Sequence, residues 1–373
     1  MQQGRANYIP TLDGWRTIAV LMVIGYHGTP PTAPWFSVFN YGHHGVNIFF
    51  GISGFLICSR LLDDEARFGR ISLKRFYLRR AFRILPPALL YILFINLMAA
   101  LAYMTPPTAL ESLASVFFFR NLLTGPATSY TGHYWSLAVE EHFYLLWPAF
   151  LILIGSKRAL WLTPLVALGF EAWRDLDAAY GITHPEGLLI YQRTDRCLDG
   201  LFWGCALALL IHQPGWRDRL RRLTVLPLWL VYLAALIAVW TIPMSYSVVA
   251  ESMLIPLVLI GTVLHSQTWI GRALEAKPMA WLGRLSYSIY LWQSALFVGR
   301  YQQAVDFQIW PLNVITLLTI AAASYYLLEK PLVAVGHRLT HRMKAKGKRQ
   351  EARGNNELPS DPADEMPKVI IHP

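Results

Sequence analysis

Apolar residues gather along the chain in runs of roughly 17–22, the length a helix needs to cross a bilayer. Ten such runs are legible, at about 11–29, 44–62, 84–104, 136–155, 159–173, 198–212, 223–242, 248–266, 284–302 and 309–330. The fifth and sixth are the shortest. A further stretch, 110–124, is apolar but broken by Arg120 and Asn121, and reads as an interfacial or re-entrant segment.

The polar segments between the runs alternate in charge. With the N-terminus placed inside, the inner segments hold 27 of the 33 lysines and arginines. Five (Arg120, Arg174, Arg193, Arg196 and Arg300) fall outside, and Arg16 lies within the first run. Basic residues stay on the cytoplasmic side, so this bias predicts an even number of spans with both termini cytoplasmic. The fold expected is all-α: a polytopic transmembrane helical bundle of about ten spans over residues 1–335. The polar stretch 336–373 is expected to be a disordered cytoplasmic tail.

Composition agrees. The chain is 54% hydrophobic and 15% charged, against about 25% charged for a soluble domain, and its mean hydropathy is +0.35. A disordered, collagen-like or disulfide-stapled chain is excluded on these grounds. The net charge of +10 is accounted for by the cytoplasmic segments and calls for no nucleic-acid partner. Cys58, Cys197 and Cys205 read as small hydrophobes. The first apolar run contains an arginine and no basic segment precedes a cleavage site, so no cleavable signal peptide is expected.

Ionisable residues inside spans are costly and are functional candidates by default. Arg16 and His27 share one face of the first run and stand roughly 16 Å apart along its axis. In the second run Gly51, Ser53 and Gly54 form a small-residue patch, read either as close packing or as a wall with a hydroxyl lining a ligand's path. The basic segment KRFYLRRAFRILPP follows. Its Arg80 and Arg83 lie one turn apart, a spacing that lets two guanidinium forks grip phosphates or contact anionic lipid. Pro86 and Pro87 then shape entry into the membrane. In HYWSLAVEEHFYLLWP, Glu140 and Tyr144 are i, i+4 neighbours, and a carboxylate there is placed to support a histidine base. Arg196 and Asp199 form a further i, i+3 polar pair. His43, His44, His133 and His142 follow no recognised metal-ligand spacing, so no metal is expected.

Taken in order, the Arg16-x10-His27 pair, FFGISGFLI, RRAFRILP and WSLAVEEHFYLLWP resemble the acyltransferase 3 family of membrane O-acyltransferases. RTDRCLDGLFWGCALA, LGRLSYSIYLWQ and LLEKPL extend the resemblance over about residues 8–335. It implies a multi-pass enzyme of a bacterial-type inner (plasma) membrane. Such an enzyme moves an acyl group, most often acetyl, from cytoplasmic acyl-CoA to a hydroxyl of a cell-surface or lipid-linked carbohydrate. Acyl-CoA would be a co-substrate, with no bound cofactor.

The resemblance implies His27 as the essential histidine, with Arg16 and Glu140 as its catalytic partners. Arg80 and Arg83, with Ser53, would bind the acyl donor. Asp13, Trp135, Tyr144, Arg196, Tyr287 and Gln293 would contact or support substrate. Many members carry histidine where this chain has Gln293, and glutamine cannot act as a base near pH 7. Some members have a fused hydrolase-like domain after the membrane part; none is expected here. Direct attack by the sugar hydroxyl and an acyl-histidine intermediate both remain open. Other readings are a transporter or flippase of a lipid-linked glycan, which predicts repeated halves not found in the sequence, and a scaffold or sensor without chemistry. The same acyl transfer to peptidoglycan, a small molecule or a lipid is a further alternative. Oligomeric state is not legible.

Overall fold

The computed structural model describes residues 8–29, 33–34, 36–123, 130–182, 192–242, 247–297 and 308–340, without the side chains of 247 and 248. Among the described residues the chain is helical and contains no strand. In order the helices are α1 (Pro10–Gly28), α2 (Phe36–Phe39), α3 (Gly45–Phe68), α4 (Leu73–Ala100), α5 (Ala109–Val116), α6 (Tyr134–Ile154) and α7 (Ser156–Tyr180). They continue with α8 (Thr194–Ile211), α9 (Trp216–Leu223), α10 (Leu226–Thr241), α11 (Ser247–Leu264), α12 (Trp269–Leu274), α13 (Lys277–Leu296) and α14 (Leu312–Ala323). The last helix runs on through a π-helical turn, Ser324–Glu329, to Thr340.

Each of the ten apolar runs falls on a long helix: α1, α3, α4, α6, α7, α8, α10, α11, α13 or α14. By length and composition, Phe36–Phe68, Leu73–Ala100, Tyr134–Ile154 and Leu312–Thr340 suffice to cross a membrane. The α9–α10 pair, bent by 72°, is a fifth such segment if counted as one.

Several boundaries differ from the sequence reading. The basic segment before the third run forms the opening turns of α4, which begins at Leu73 and holds Pro86 and Pro87 inside the helix. The arginines there are held rather than solvated. Arg79 pairs with Asp64 of α3 at 2.9 Å, and the Arg80 guanidinium lies over the Tyr144 ring at 4.5 Å. Helix α13 ends at Leu296, short of the expected 302, and residues 298–307 lie outside the described residues. At the other end α14 passes the expected boundary at 335 and reaches Thr340; residues 341–373 of the expected tail lie outside the described residues. The stretch 110–124 opens as α5 with a reciprocal Thr108–Glu111 cap. Its Arg120 folds back, buried, onto Glu111 at 3.1 Å.

The framework rests on two close helix pairings and a pair of crossed ion bridges. Helix α3 packs along α8 with backbone nearly touching backbone: a Cβ on Gly54 would strike the Leu201 carbonyl oxygen, and one on Gly204 would strike the Gly51 oxygen. The two glycines of the small-residue patch thus serve packing, while Ser53 points elsewhere. Helix α1 runs parallel to α13, with Gly283 against the Asp13 backbone and Gly28 against the Phe297 ring.

Helix α8 also packs on α7, and here the expected local pair is replaced. Asp199 pairs with Arg174 of α7 at 3.1 Å, and Arg196 pairs with Asp177 of α7. The reason is geometric. Helix α7 presents Arg174 and Asp177 one turn apart, in the charge order that complements Arg196 and Asp199 across the contact. Arg174 also donates to the Arg196 carbonyl at 2.8 Å, and Ser252 of α11 donates to Asp199 at 2.6 Å.

Candidate active site

The polar side chains inside the bundle form a column with arginines at one end and histidines at the other. The arginine end is built on α1, α3 and α4. Arg16 is two turns into α1 and pairs with Asp13 at 3.3 Å. Asp13 also accepts from the Tyr8 hydroxyl at 2.7 Å. Tyr8 precedes the helix, and burial, then the Asp13 carboxylate, raise its pKa. Arg16 and Arg83 lie within electrostatic range of each other, and Arg80 and Arg83 do as well.

The middle of the column is Glu140. Its carboxylate accepts from Ser53 of α3 at 2.8 Å and from Tyr144 one turn along α6 at 2.9 Å. The Tyr144 ring carries the Arg80 guanidinium, and Arg80 and Arg16 are the cations that act on Glu140. Ser53 thus differs from its glycine neighbours in bonding across to α6.

Glu140 sits with the arginines, and a second imidazole joins the histidine end. His133, just before α6 begins, lies seven residues from Glu140, roughly 10 Å along the axis, and is within electrostatic range of His27. It is buried, and neither ring nitrogen makes a hydrogen bond of good geometry. The rings of Tyr91, Tyr134 and Tyr290 stand edge-on around it, with centroids 5.0–5.7 Å away. The Tyr290 hydroxyl shares a 2.5 Å hydrogen bond with Ser136, one turn from Glu140, and continues the column. His27 is half-buried, with the Tyr26 ring edge-on at 5.1 Å.

The remaining expected residues divide. Gln293 is fully buried and donates to Ser294 at 2.8 Å. With Phe297 opposite Gly28, it lies about one turn below the level of His27. Tyr287 donates to the Ile84 carbonyl at 2.9 Å and ties α13 to α4. Trp135 packs edge-on against Phe50 at 6.1 Å, holding α6 on α3. Arg196 belongs to the α7–α8 bridge, away from the column. Two polar residues went unassigned from sequence: His133, two turns before Glu140 and just ahead of α6, and Arg60, hidden among the other basic residues of its segment. Among the described residues no three His, Cys, Asp or Glu side chains gather as a metal site would need.

The sequence matches one family. A model described as an acyltransferase domain, acyltransferase 3, covers residues 9–328, and the chain belongs to that family. Among similar proteins is YrhL of Bacillus subtilis (strain 168), provisionally named a peptidoglycan O-acetyltransferase, 30% identical over 89% of this chain and 56% of that protein. Another is the peptidoglycan O-acetyltransferase OatA of Listeria monocytogenes serovar 1/2a, 27% identical over 87% of this chain and 56% of its own. The O-acetyltransferase OatA of Staphylococcus aureus (strain NCTC 8325) is 26% identical over 87% and 57%. The chain thus spans little more than half the length of these relatives. No solved structure matches it.

Proposed function

We propose that the protein is a membrane O-acyltransferase that moves an acetyl group from cytoplasmic acetyl-CoA to a hydroxyl of a cell-envelope carbohydrate. The names of the relatives favour peptidoglycan as the acceptor. The observation that carries the reading is the column itself. Cations suited to phosphates stand at one end, imidazoles suited to proton transfer at the other, and Ser53, Glu140 and Tyr144 lie between. The positive-inside bias supports ten spans with both termini cytoplasmic, which puts the arginine end on the side where CoA is made.

In this reading Arg80 and Arg83 hold the donor's phosphates and its pantetheine arm extends past Glu140 toward His27. The imidazole of His27 takes the proton of an acceptor hydroxyl while that oxygen bonds to the thioester carbonyl carbon. The C–S bond then breaks, and the thiolate leaves with the proton from His27, giving an O-acetyl ester and free CoA. Protein reconstituted in lipid discs with [14C]acetyl-CoA and soluble peptidoglycan fragments is expected to yield alkali-labile acetyl esters on the sugar. Hydrolysis of acetyl-CoA without any labelled glycan, across peptidoglycan and other envelope polysaccharides, would remove the carbohydrate from the proposal.

A further inference from the structure

Arg60 is a cation without an obvious purpose in the fold. It lies on α3, seven residues beyond Ser53. Seven residues are nearly two full turns, so both side chains leave the same face, and Ser53 fixes that face toward Glu140. Arg60 is exposed, yet the charged groups acting most strongly on it are Arg80, Arg83, Arg16 and Arg79. The acids nearby are engaged: Asp64 with Arg79 at 2.9 Å, Asp63 with His212 at 3.6 Å, Asp13 with Arg16. Among the described residues Arg60, Arg80 and Arg83 form no ion pair. Glu140 and Glu141 act on Arg80 and Glu329 is within range of Arg83, whereas the charges acting most strongly on Arg60 are all cationic, a setting that a bound anion would relieve.

We propose that Arg60 is a third donor-binding arginine, acting with Arg80 and Arg83 on a polyphosphate. Each guanidinium presents a fork that can engage a phosphate bidentately. A single phosphate ester, as on a carrier protein's phosphopantetheine, uses fewer forks than three facing arginines supply. The diphosphate and separate phosphate monoester of CoA use them all. Within the donor class already proposed, Arg60 would favour a thioester on a nucleotide-bearing carrier over one on a protein-bound phosphopantetheine. This inference rests on the acyl-donor reading above.

The test compares CoA with 4′-phosphopantetheine, by calorimetry on purified protein in zwitterionic lipid discs. Wild type is expected to favour CoA. Arg60→Gln is expected to weaken CoA binding about tenfold to hundredfold, the worth of one charge-assisted hydrogen-bonded contact, and to leave phosphopantetheine unchanged. Arg60→Lys, which keeps the charge but loses the fork, falls between. An unliganded melting temperature equal to wild type excludes misfolding as the cause. If Arg60→Gln changes neither ligand, or both alike, the assignment fails. It also fails if the substitution acts only in discs containing phosphatidylglycerol, which would make Arg60 a lipid contact. Wild type that binds no CoA would sink the donor reading itself; wild type that binds CoA beside an indifferent Arg60→Gln sinks only this inference.

Discussion

Exchanging Asp199 for Asn tests how α7 and α8 are joined. In the wild-type chain the Asp199 carboxylate meets Arg174 at 3.1 Å, with both side chains more than nine-tenths buried. Asn keeps the shape and one acceptor but leaves the guanidinium without its counter-charge, with the Arg196 carbonyl still accepting from it. Removing one partner of a buried pair costs about 3–5 kcal/mol, largely because the other charge stays buried. The isosteric amide puts Asp199→Asn at about 3 kcal/mol, the low end of that range. In the Arg174→Gln, Asp199→Asn double variant both charges are gone, so the two losses overlap. A coupling of about 1.5–3 kcal/mol is expected. Unfolding in mixed sodium dodecyl sulfate and dodecyl maltoside micelles, followed by tryptophan fluorescence, supplies the four stabilities of the cycle. The same cycle on Arg196 and Asp199 is expected to give a smaller coupling, because Arg196 is paired with Asp177. Coupling larger for Arg196–Asp199 than for Arg174–Asp199, or below about 0.5 kcal/mol for the latter, refutes the crossed pairing.

His27→Ala is expected to cut acetyl transfer by about 10²–10⁴-fold while CoA binding persists; near-normal turnover of folded variant would remove His27 from the chemistry. Gln293→Ala is expected to lower activity by modest factors with unchanged pH dependence, and total loss in folded protein would overturn that. Reporter fusions after Pro214 and after Pro373 are expected to read cytoplasm, and one after Pro185 to read outside. A cytoplasmic signal at Pro185 would mean that α7 or α8 does not span.

What the sequence disclosed was mostly what one helix can disclose alone. Long apolar runs marked the helices, and the i, i+4 spacing of Glu140 and Tyr144 forecast a contact that forms. Partners across helices were not legible. Nothing local says that Arg196 turns from Asp199 to Asp177, because that choice depends on α7 lying against α8. Glu140 was assigned to His27 by its type and its place in a motif. The neighbours it gains in the fold, Arg16, Arg80 and Ser53, come from three other helices. The start of α4 shows the same division: the one-turn spacing of Arg80 and Arg83 was legible, but not that Asp64 and the Tyr144 ring would partner Arg79 and Arg80. His133 could have been found from its spacing of two turns before Glu140.

The glycine contact between α3 and α8 bears on how the site moves. Where backbones touch through Gly51, Gly54 and Gly204, there are no flexible side chains to slide or compress, and the crossed bridges lock α7 to the same pair. Helices α3, α7 and α8 therefore behave as one slab, and Ser53 and Arg60 ride on it as fixed fittings. The other wall of the column is built differently. There α4 carries Arg80 and Arg83, and many of its leucines face outward. Yet α4 is pinned to the slab by the Arg79–Asp64 pair at 2.9 Å and to α13 by the Tyr287–Ile84 bond, so both walls of the column are braced.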